Sequence, residues 1–171
     1  MKLIEGKALL ERLEASPPLV EGFIDRDTQI QMNGVDFTLR EVSRFGPEGG
    51  VVDFDNSERR TPETDALVPD DNGFWHLGAG PYWIVYNEIV TIPPDVFGLA
   101  RTRSTLLRSG AQIGTALWDS GYSGRSGSLL VVHNPAGIRL KQNARVLQLV
   151  FFGLDAPAAK TYQGRYQNEN K

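Results

Sequence analysis

The stretch 101–127, RTRSTLLRSGAQIGTALWDSGYSGRSG, gathers most of the residues able to do chemistry. Arg101, Arg103 and Arg108 surround Ser104 and Thr105. Guanidinium forks match phosphate oxygens two at a time, and hydroxyls add further donors, so the cluster suits a polyphosphate. An apolar run follows and ends in one carboxylate, Asp119, a group able to orient an attacking water. The next residues, Ser120-Gly121-Tyr122-Ser123-Gly124, form a turn that sets an aromatic ring against a ligand while backbone groups approach closely. The same residues also read as plain architecture: a strand, a hairpin turn capped by Asp-Ser-Gly, and a surface arginine cluster.

Other chemistries are poorly supplied. His76 and His133 are the only histidines and stand 57 positions apart, so each reads better as a half-buried strand residue than as a metal ligand. Cysteine is absent, which removes disulfides, thiolate zinc sites and a cysteine nucleophile. No Walker loop, nucleophile elbow or dinucleotide-binding glycine motif is present. The three Trp and five Tyr are scattered, without the basic and aromatic interleaving of a single-strand binder.

Net charge is −3, which argues against a protein that coats nucleic acid, and the average hides a split. Residues 1–88 carry 8 Lys+Arg against 17 Asp+Glu (8 − 17 = −9), and residues 89–168 carry 9 against 3 (9 − 3 = +6). Seven of those nine cations are arginines. The basic half suits an anionic ligand of phosphate type. The simpler alternative, favoured by composition alone, is that the two halves interleave and neutralise each other.

The elements that must position these residues are short. The 171 residues suffice for a single domain over 1–171 with a sizeable core. Leu3, Leu9, Leu10 and Leu13 predict one amphipathic helix stopped by Pro17-Pro18. Strands are expected at 29–39, 51–54, 73–77, 82–86, 88–92, 111–118, 129–133, 137–140 and 146–152, punctuated by Gly, Pro, Asn and Asp. Residues 103–109 read as a helical turn, 58–71 as a polar loop, and the tail from Asp155 as mobile. Many short strands imply an all-β barrel or jelly roll. No apolar run approaches the length of a bilayer span, and the N-terminus has no signal-peptide block, so no membrane association and a cytoplasmic location are expected.

Four segments, in order, resemble the dUTP diphosphatase/dCTP deaminase superfamily. Asn33-Gly34-Val35-Asp36-Phe37 is similar to its early Gly-x-Asp-Leu motif, and Arg103-Ser104-Thr105-Leu106 to its Arg-Ser-Ser-Leu phosphate motif. Trp118-Asp119-Ser120-Gly121-Tyr122-Ser123-Gly124 resembles its Asp-x-x-Tyr-x-Gly hairpin, and Arg145-Val146-Leu147-Gln148-Leu149-Val150-Phe151 its Arg-Ile-Ala-Gln-Leu-Val-Phe strand. The resemblance covers most of the chain. The helix before Asp36 and the Tyr-Gln-Gly-Arg-Tyr-Gln tail look like the deaminase branch or its archaeal-type diphosphatase relatives.

The resemblance implies a distorted jelly roll (β-clip) of dUTP diphosphatase type with a short N-terminal helix. It implies a homotrimer with sites between subunits, Mg²⁺ bound to the triphosphate, and a deoxyuridine nucleotide as substrate, with no nucleic-acid partner. Hydrolysis of dUTP to dUMP keeps uracil out of DNA and supplies dUMP for thymidylate synthesis. Asp119 would orient the attacking water. Tyr122 would stack on the deoxyribose and crowd out a 2′-hydroxyl, while backbone groups from Thr115 to Gly124 read the uracil edge. Ser104, Arg108 and Gln148 would hold phosphate oxygens, with Arg103 and Thr105 in the same substrate-binding set. Asp36 would brace that site or its metal shell. Tyr162–Gln167 would stand in for the missing Gly-rich, Phe-containing arm as a lid, with Arg165 reaching the γ-phosphate and Gln167 in the substrate-binding set; the competing expectation is a frayed end.

The superfamily holds two chemistries. Deamination of cytosine needs a general acid/base near C4; in the deaminase branch that this chain resembles it is a glutamate about ten residues past the hairpin aspartate, where this chain has Leu129 or Val131. No glutamate occurs between Ile89 and Asn168, and Glu88 is a poor substitute. Hydrolysis is therefore the expectation, ahead of a dCTP deaminase or bifunctional enzyme, and ahead of a non-catalytic nucleotide sensor, which would not need Asp119.

Overall fold

Val146, Leu147, Leu149 and Phe151 are all buried, and the strand that carries them is the hub of the molecule. The computed structural model describes residues 1–171. In chain order it contains β1 (Lys2–Ile4), α1 (Gly6–Leu13), β2 (Val20–Glu21), α2 (Arg26–Gln29), β3 (Ile30–Gln31), β4 (Gly34–Phe45), β5 (Thr64–Ala66), β6 (Phe74–Leu77) and β7 (Gly80–Tyr86). Then come β8 (Ile89–Thr91), β9 (Val96–Thr102), α3 (Ser104–Arg108), β10 (Ala111–Gly114), β11 (Ser123–Gly124), β12 (Gly127–Val132), β13 (Ile138–Lys141) and β14 (Arg145–Gly153).

The main sheet runs β1-β14-β4-β7-β12-β10, with β9 joined to β14 and both β3 and β5 to β4; every pairing is antiparallel. Smaller sheets, β11-β8-β2 and β13-β6, complete an all-β distorted jelly roll. β9 follows one edge of β14, while β4 and β1 share the other. β4 is long enough to pair with β14 through Val35–Thr38 and with β7 through Leu39–Ser43, with a register shift between Leu39 and Glu41. Such bulges bend a strand and let one sheet curl around its own core.

The alternation of β4 explains its two roles. Val35, Phe37 and Leu39 face a core of 29 buried apolar residues. Asp36 and Thr38 face the other way and are also buried. Thr38 donates its backbone N–H and its hydroxyl to the Glu88 carboxylate, at 2.8 and 2.5 Å, and Gln29 Nε2 donates to the same group at 2.6 Å. Burial pushes the Glu88 carboxyl above its ordinary value, against the pull of those donors. This knot ties α2 to the turn before β8.

Several local expectations are corrected. Leu3 lies on β1 rather than in the helix, because its segment pairs with β14, and Leu10 is exposed. The expected strand at 29–39 is interrupted by a turn at Met32-Asn33, and its first residue ends α2. At 51–54 only Val51 pairs, in a bridge to Arg60, and Phe54 is fully exposed. The 58–71 loop contains β5, and the run 111–118 splits into β10 and a bridge from Trp118 to Gly98. β9 is an additional strand, which pairs along β14 from Val96 to Thr102. α3 matches the expected helical turn. No helix is long and apolar enough to cross a membrane.

Candidate active site

The arginine-rich group sits where three strands meet. Asp36 on β4 lies opposite Gln148 on β14, and Gln148 lies opposite Arg101 on β9. Arg103 follows β9 and opens α3. Its Nε lies 3.1 Å from Asp36 Oδ2, and Arg145 Nη1 lies 3.2 Å from the same oxygen. Arg145 also donates to the Thr28 carbonyl at 2.9 Å, and Arg103 to the Arg145 carbonyl at 3.3 Å. Burial pushes the Asp36 carboxyl above its ordinary value, against the pull of the two guanidiniums. Asp36 thus belongs to the acidic half of the sequence and both its partners to the basic half, so part of the charge split is neutralised by interleaving. Ser104, Thr105 and Arg108 remain exposed on α3, which is anchored by the buried Leu106.

The hairpin is built to hold one carboxylate outward. Trp118 and Gly98 exchange backbone hydrogen bonds at 2.8 and 3.1 Å, and Ser120 Oγ donates to the Val96 carbonyl at 2.6 Å. Gly121 N–H donates to Ile92 O at 2.9 Å, and Ile92 N–H to Tyr122 O at 2.8 Å. Gly121 has φ +88°, a conformation that a side chain would oppose. Trp118 and Ser120 are buried on either side of Asp119, which is left exposed and without an ion pair.

The tail is not a free end. Tyr162 N–H donates to Ser120 O at 2.7 Å, and its ring meets Tyr122 edge to face at 5.6 Å. Gln167 clamps the hairpin backbone: its Oε1 accepts from Ser123 N–H and its Nε2 donates to Gly121 O, each at 3.0 Å. Asn168 N–H donates to Ser123 O at 2.7 Å, and Arg125 N–H to Glu169 O at 2.9 Å. The backbone edge of 121–125 needs partners, and the tail supplies them.

Hairpin and tail enclose a cleft of about 270 Å³ walled by Trp118, Asp119, Tyr122, Tyr162, Tyr166 and Glu169. Tyr122 is buried, which pushes its phenol up, and its hydroxyl donates to Glu169 Oε1 at 2.8 Å. Burial also pushes the Glu169 carboxyl up. Gly124 has to be glycine here, since a Cβ would stand 2.7 Å from the Tyr122 hydroxyl.

The candidate residues from the sequence fall into separate groups on the chain. Asp119, Tyr122, Gly124 and Gln167 come together at the hairpin and tail. Asp36, Arg103 and Gln148 come together at the sheet, with α3 adjoining. The clefts that Asp119 lines contain neither Ser104, Arg108 nor Gln148. Thr115 lines a third cleft, with Arg101 and Leu107. Arg165 turns away from the hairpin cleft and lines a polar cleft with Arg59 and Arg60. Tyr162 and Tyr166 lie in the segment 162–167 expected over the site, whereas Glu169 was not singled out by the sequence. No spacing rule marks it, because only the return of the tail brings it there.

No three His, Asp or Glu side chains converge into a metal cage. Asp36 is occupied by two guanidiniums, so it is not a direct ligand as it stands. These residues fit a hard cation that arrives on phosphate oxygens better than one held by the protein.

The curled antiparallel fold places the four motif segments on β4, α3, the hairpin and β14. The dCTP deaminase-like family model matches residues 3–154, and the chain belongs to that family. It is 48% identical over 171 residues to a probable deoxyuridine 5′-triphosphate nucleotidohydrolase of Methanosarcina mazei, covering 99% of each chain. A protein of the same description from Methanococcoides burtonii is 49% identical over 170 residues, again with 99% of each covered. Among solved structures, the 2′-deoxycytidine 5′-triphosphate deaminase of Agrobacterium tumefaciens superposes with a TM-score of 0.63 at 17% identity. That match covers 88% of this chain and 47% of the deaminase, and it bears on the fold alone.

Proposed function

We propose that the chain hydrolyses dUTP to dUMP and diphosphate. One observation carries the reading: the unpaired Asp119 carboxylate stands at the rim of an aromatic cleft, held out by a hairpin whose neighbouring side chains are buried. The relatives named above, alike over nearly the whole length, support the same substrate.

In this reading the Asp119 carboxylate orients a water and accepts its proton as the water oxygen bonds to the α-phosphorus. The bond from that phosphorus to the oxygen bridging to the β-phosphate breaks, and diphosphate leaves with the electron pair. Mg²⁺, held by the triphosphate rather than by a cage of protein carboxylates, would supply neutralisation of its charge. Little covalent help is needed, because phosphoryl transfer depends chiefly on positioning and electrostatics. Tyr122 closes the cleft beside the sugar and the hairpin backbone reads the base. Ser104, Thr105, Arg108 and Gln148 hold phosphate oxygens, with Asp36 keeping Arg103 in place. Because Asp119 and the phosphate group line different clefts of one chain, the complete site is assembled between copies, as in a homotrimer. Leu99, Leu107, Leu117 and Leu129 are exposed and suit burial in such an assembly.

The test is a product assay with Mg²⁺ and each of dUTP, dCTP, dTTP and UTP. Equimolar dUMP and diphosphate from dUTP is the expected result, and no dUMP at micromolar enzyme overturns the reading. A second reading, deamination, gains one observation: Glu169 brings into the hairpin cleft the carboxyl that the downstream sequence lacks. Release of ammonia from dCTP is its signature.

A further inference from the structure

The buried face of the hairpin cleft contains a hydrogen-bond relay that the hydrolytic mechanism leaves unused. Trp118 Nε1 donates to Ser126 Oγ at 2.7 Å. Tyr122 OH is 3.4 Å from the same oxygen, too far for a strong bond, and only 2.8 Å from Glu169 Oε1. Glu169 is therefore the principal acceptor for the phenol. A buried tyrosine without a partner for its hydroxyl leaves that group unsatisfied. Packing against Tyr162 fixes one edge of the ring, and the hydroxyl bond fixes its far end.

Glu169 is itself held firmly. Arg125 N–H donates to its carbonyl, the Asn168 N–H on one side donates to Ser123 O, and Asn170 Nδ2 on the other donates to Arg125 O at 3.0 Å. Arg125 Nε returns a bond to Asn170 O at 2.9 Å. The segment 168–170 thus lies along the hairpin arm like an added strand edge, and delivers its carboxylate to one point. Such support from a second layer of contacts is what keeps a side chain within a fraction of an ångström of its working position. The partial burial of a carboxyl with no cation beside it is a cost that a purely structural tail has no reason to carry.

We infer that Glu169 is a positioning residue for Tyr122, so that discrimination between deoxyribose and ribose depends on the C-terminal tail through one hydrogen bond. The inference rests on the reading that this cleft takes the deoxyuridine nucleotide. Steady-state kcat/KM for dUTP and UTP is to be measured for the unaltered chain, Glu169→Ala, Glu169→Gln, Tyr122→Phe and the double variant Tyr122→Phe/Glu169→Ala. Glu169→Ala is expected to lower the dUTP:UTP ratio about tenfold, the equivalent of one hydrogen bond to a charged acceptor. Glu169→Gln keeps an acceptor oxygen and is expected to restore most of the ratio. Tyr122→Phe removes the same bond from the core side, so it is expected to match Glu169→Ala, and the double variant to add nothing further. Tyr122→Phe also serves as the deciding variant should Glu169→Ala fail to fold.

An unchanged ratio in Glu169→Ala or Tyr122→Phe, or additive losses in the double variant, overturns the positioning role while leaving dUTP hydrolysis intact. Ammonia released from dCTP by the unaltered chain and abolished in Glu169→Gln makes the carboxyl a proton carrier and also overturns it. Failure of the unaltered chain to cleave dUTP overturns the underlying reading and this inference together.

Discussion

Two aspartates on neighbouring parts of one sheet system are treated in opposite ways. Asp36 is 1% exposed and is gripped by Arg103 and Arg145. Asp119 is exposed and unpaired. The difference lies in their elements. Asp36 is the third residue of a twelve-residue strand whose first six residues are all buried, where an unpaired charge would be too costly. Asp119 sits in a turn whose flanking residues are buried, so its side chain has only the cleft and solvent to face. A buried, paired carboxylate organises its neighbours, whereas an exposed, held one is available to react.

The contrast breaks most sharply at Asp119. Asp119→Asn is expected to cut turnover about 10²–10⁴-fold while leaving the melting temperature nearly unchanged, as steady-state assay and calorimetry would show. Tyr122→Ala, also at the cleft, is expected to raise the relative rate on UTP about a hundredfold, the usual limit for rejecting one added hydroxyl by shape. Competition assays with mixed dUTP and UTP would measure this. Arg145→Met tests the other aspartate. It leaves Asp36 with one guanidinium and should cost about 2 kcal/mol of stability, less than the roughly 3–5 kcal/mol for stripping a buried charge of its only partner. Urea denaturation would measure it.

The smallest effect concerns Glu88, buried like Asp36 but satisfied by neutral donors. Its folded pKa is raised by burial, so its contribution to stability is fully present below the ordinary glutamate value of 4.5 and is lost as pH rises through the raised value. Glu88→Gln should flatten that part of the stability–pH curve. A curve of unchanged slope would show that Glu88 titrates normally.

Much of this could be read from residue order. The hairpin, α3 and β14 carry dense local signals: a Gly-bracketed turn, a short run of helix formers, and alternating apolar residues. Asp36 and Asp119 were both recognisable, but their opposite environments were not, because burial of Asp36 depends on Gln148, Arg103 and Arg145, more than 60 positions away. β1 and β5 are three-residue strands that only tertiary pairing stabilises. The tail was legible only as a segment, 162–167, and not in its contacts. Its polar residues give no period, yet Gln167, Asn168 and Glu169 are polar because they bond to the open backbone and the phenol of a hairpin some 45 residues earlier.

β1 begins at Lys2, and its partner β14 ends at Gly153. A chain emerging from the ribosome cannot seat β1 until β14, about 150 residues further on, has been translated. Non-local pairing of this kind makes folding slow, so exposed strand edges must wait for their partner. The half-made protein should therefore be inert as a catalyst and in need of protection from aggregation until its hub strand arrives.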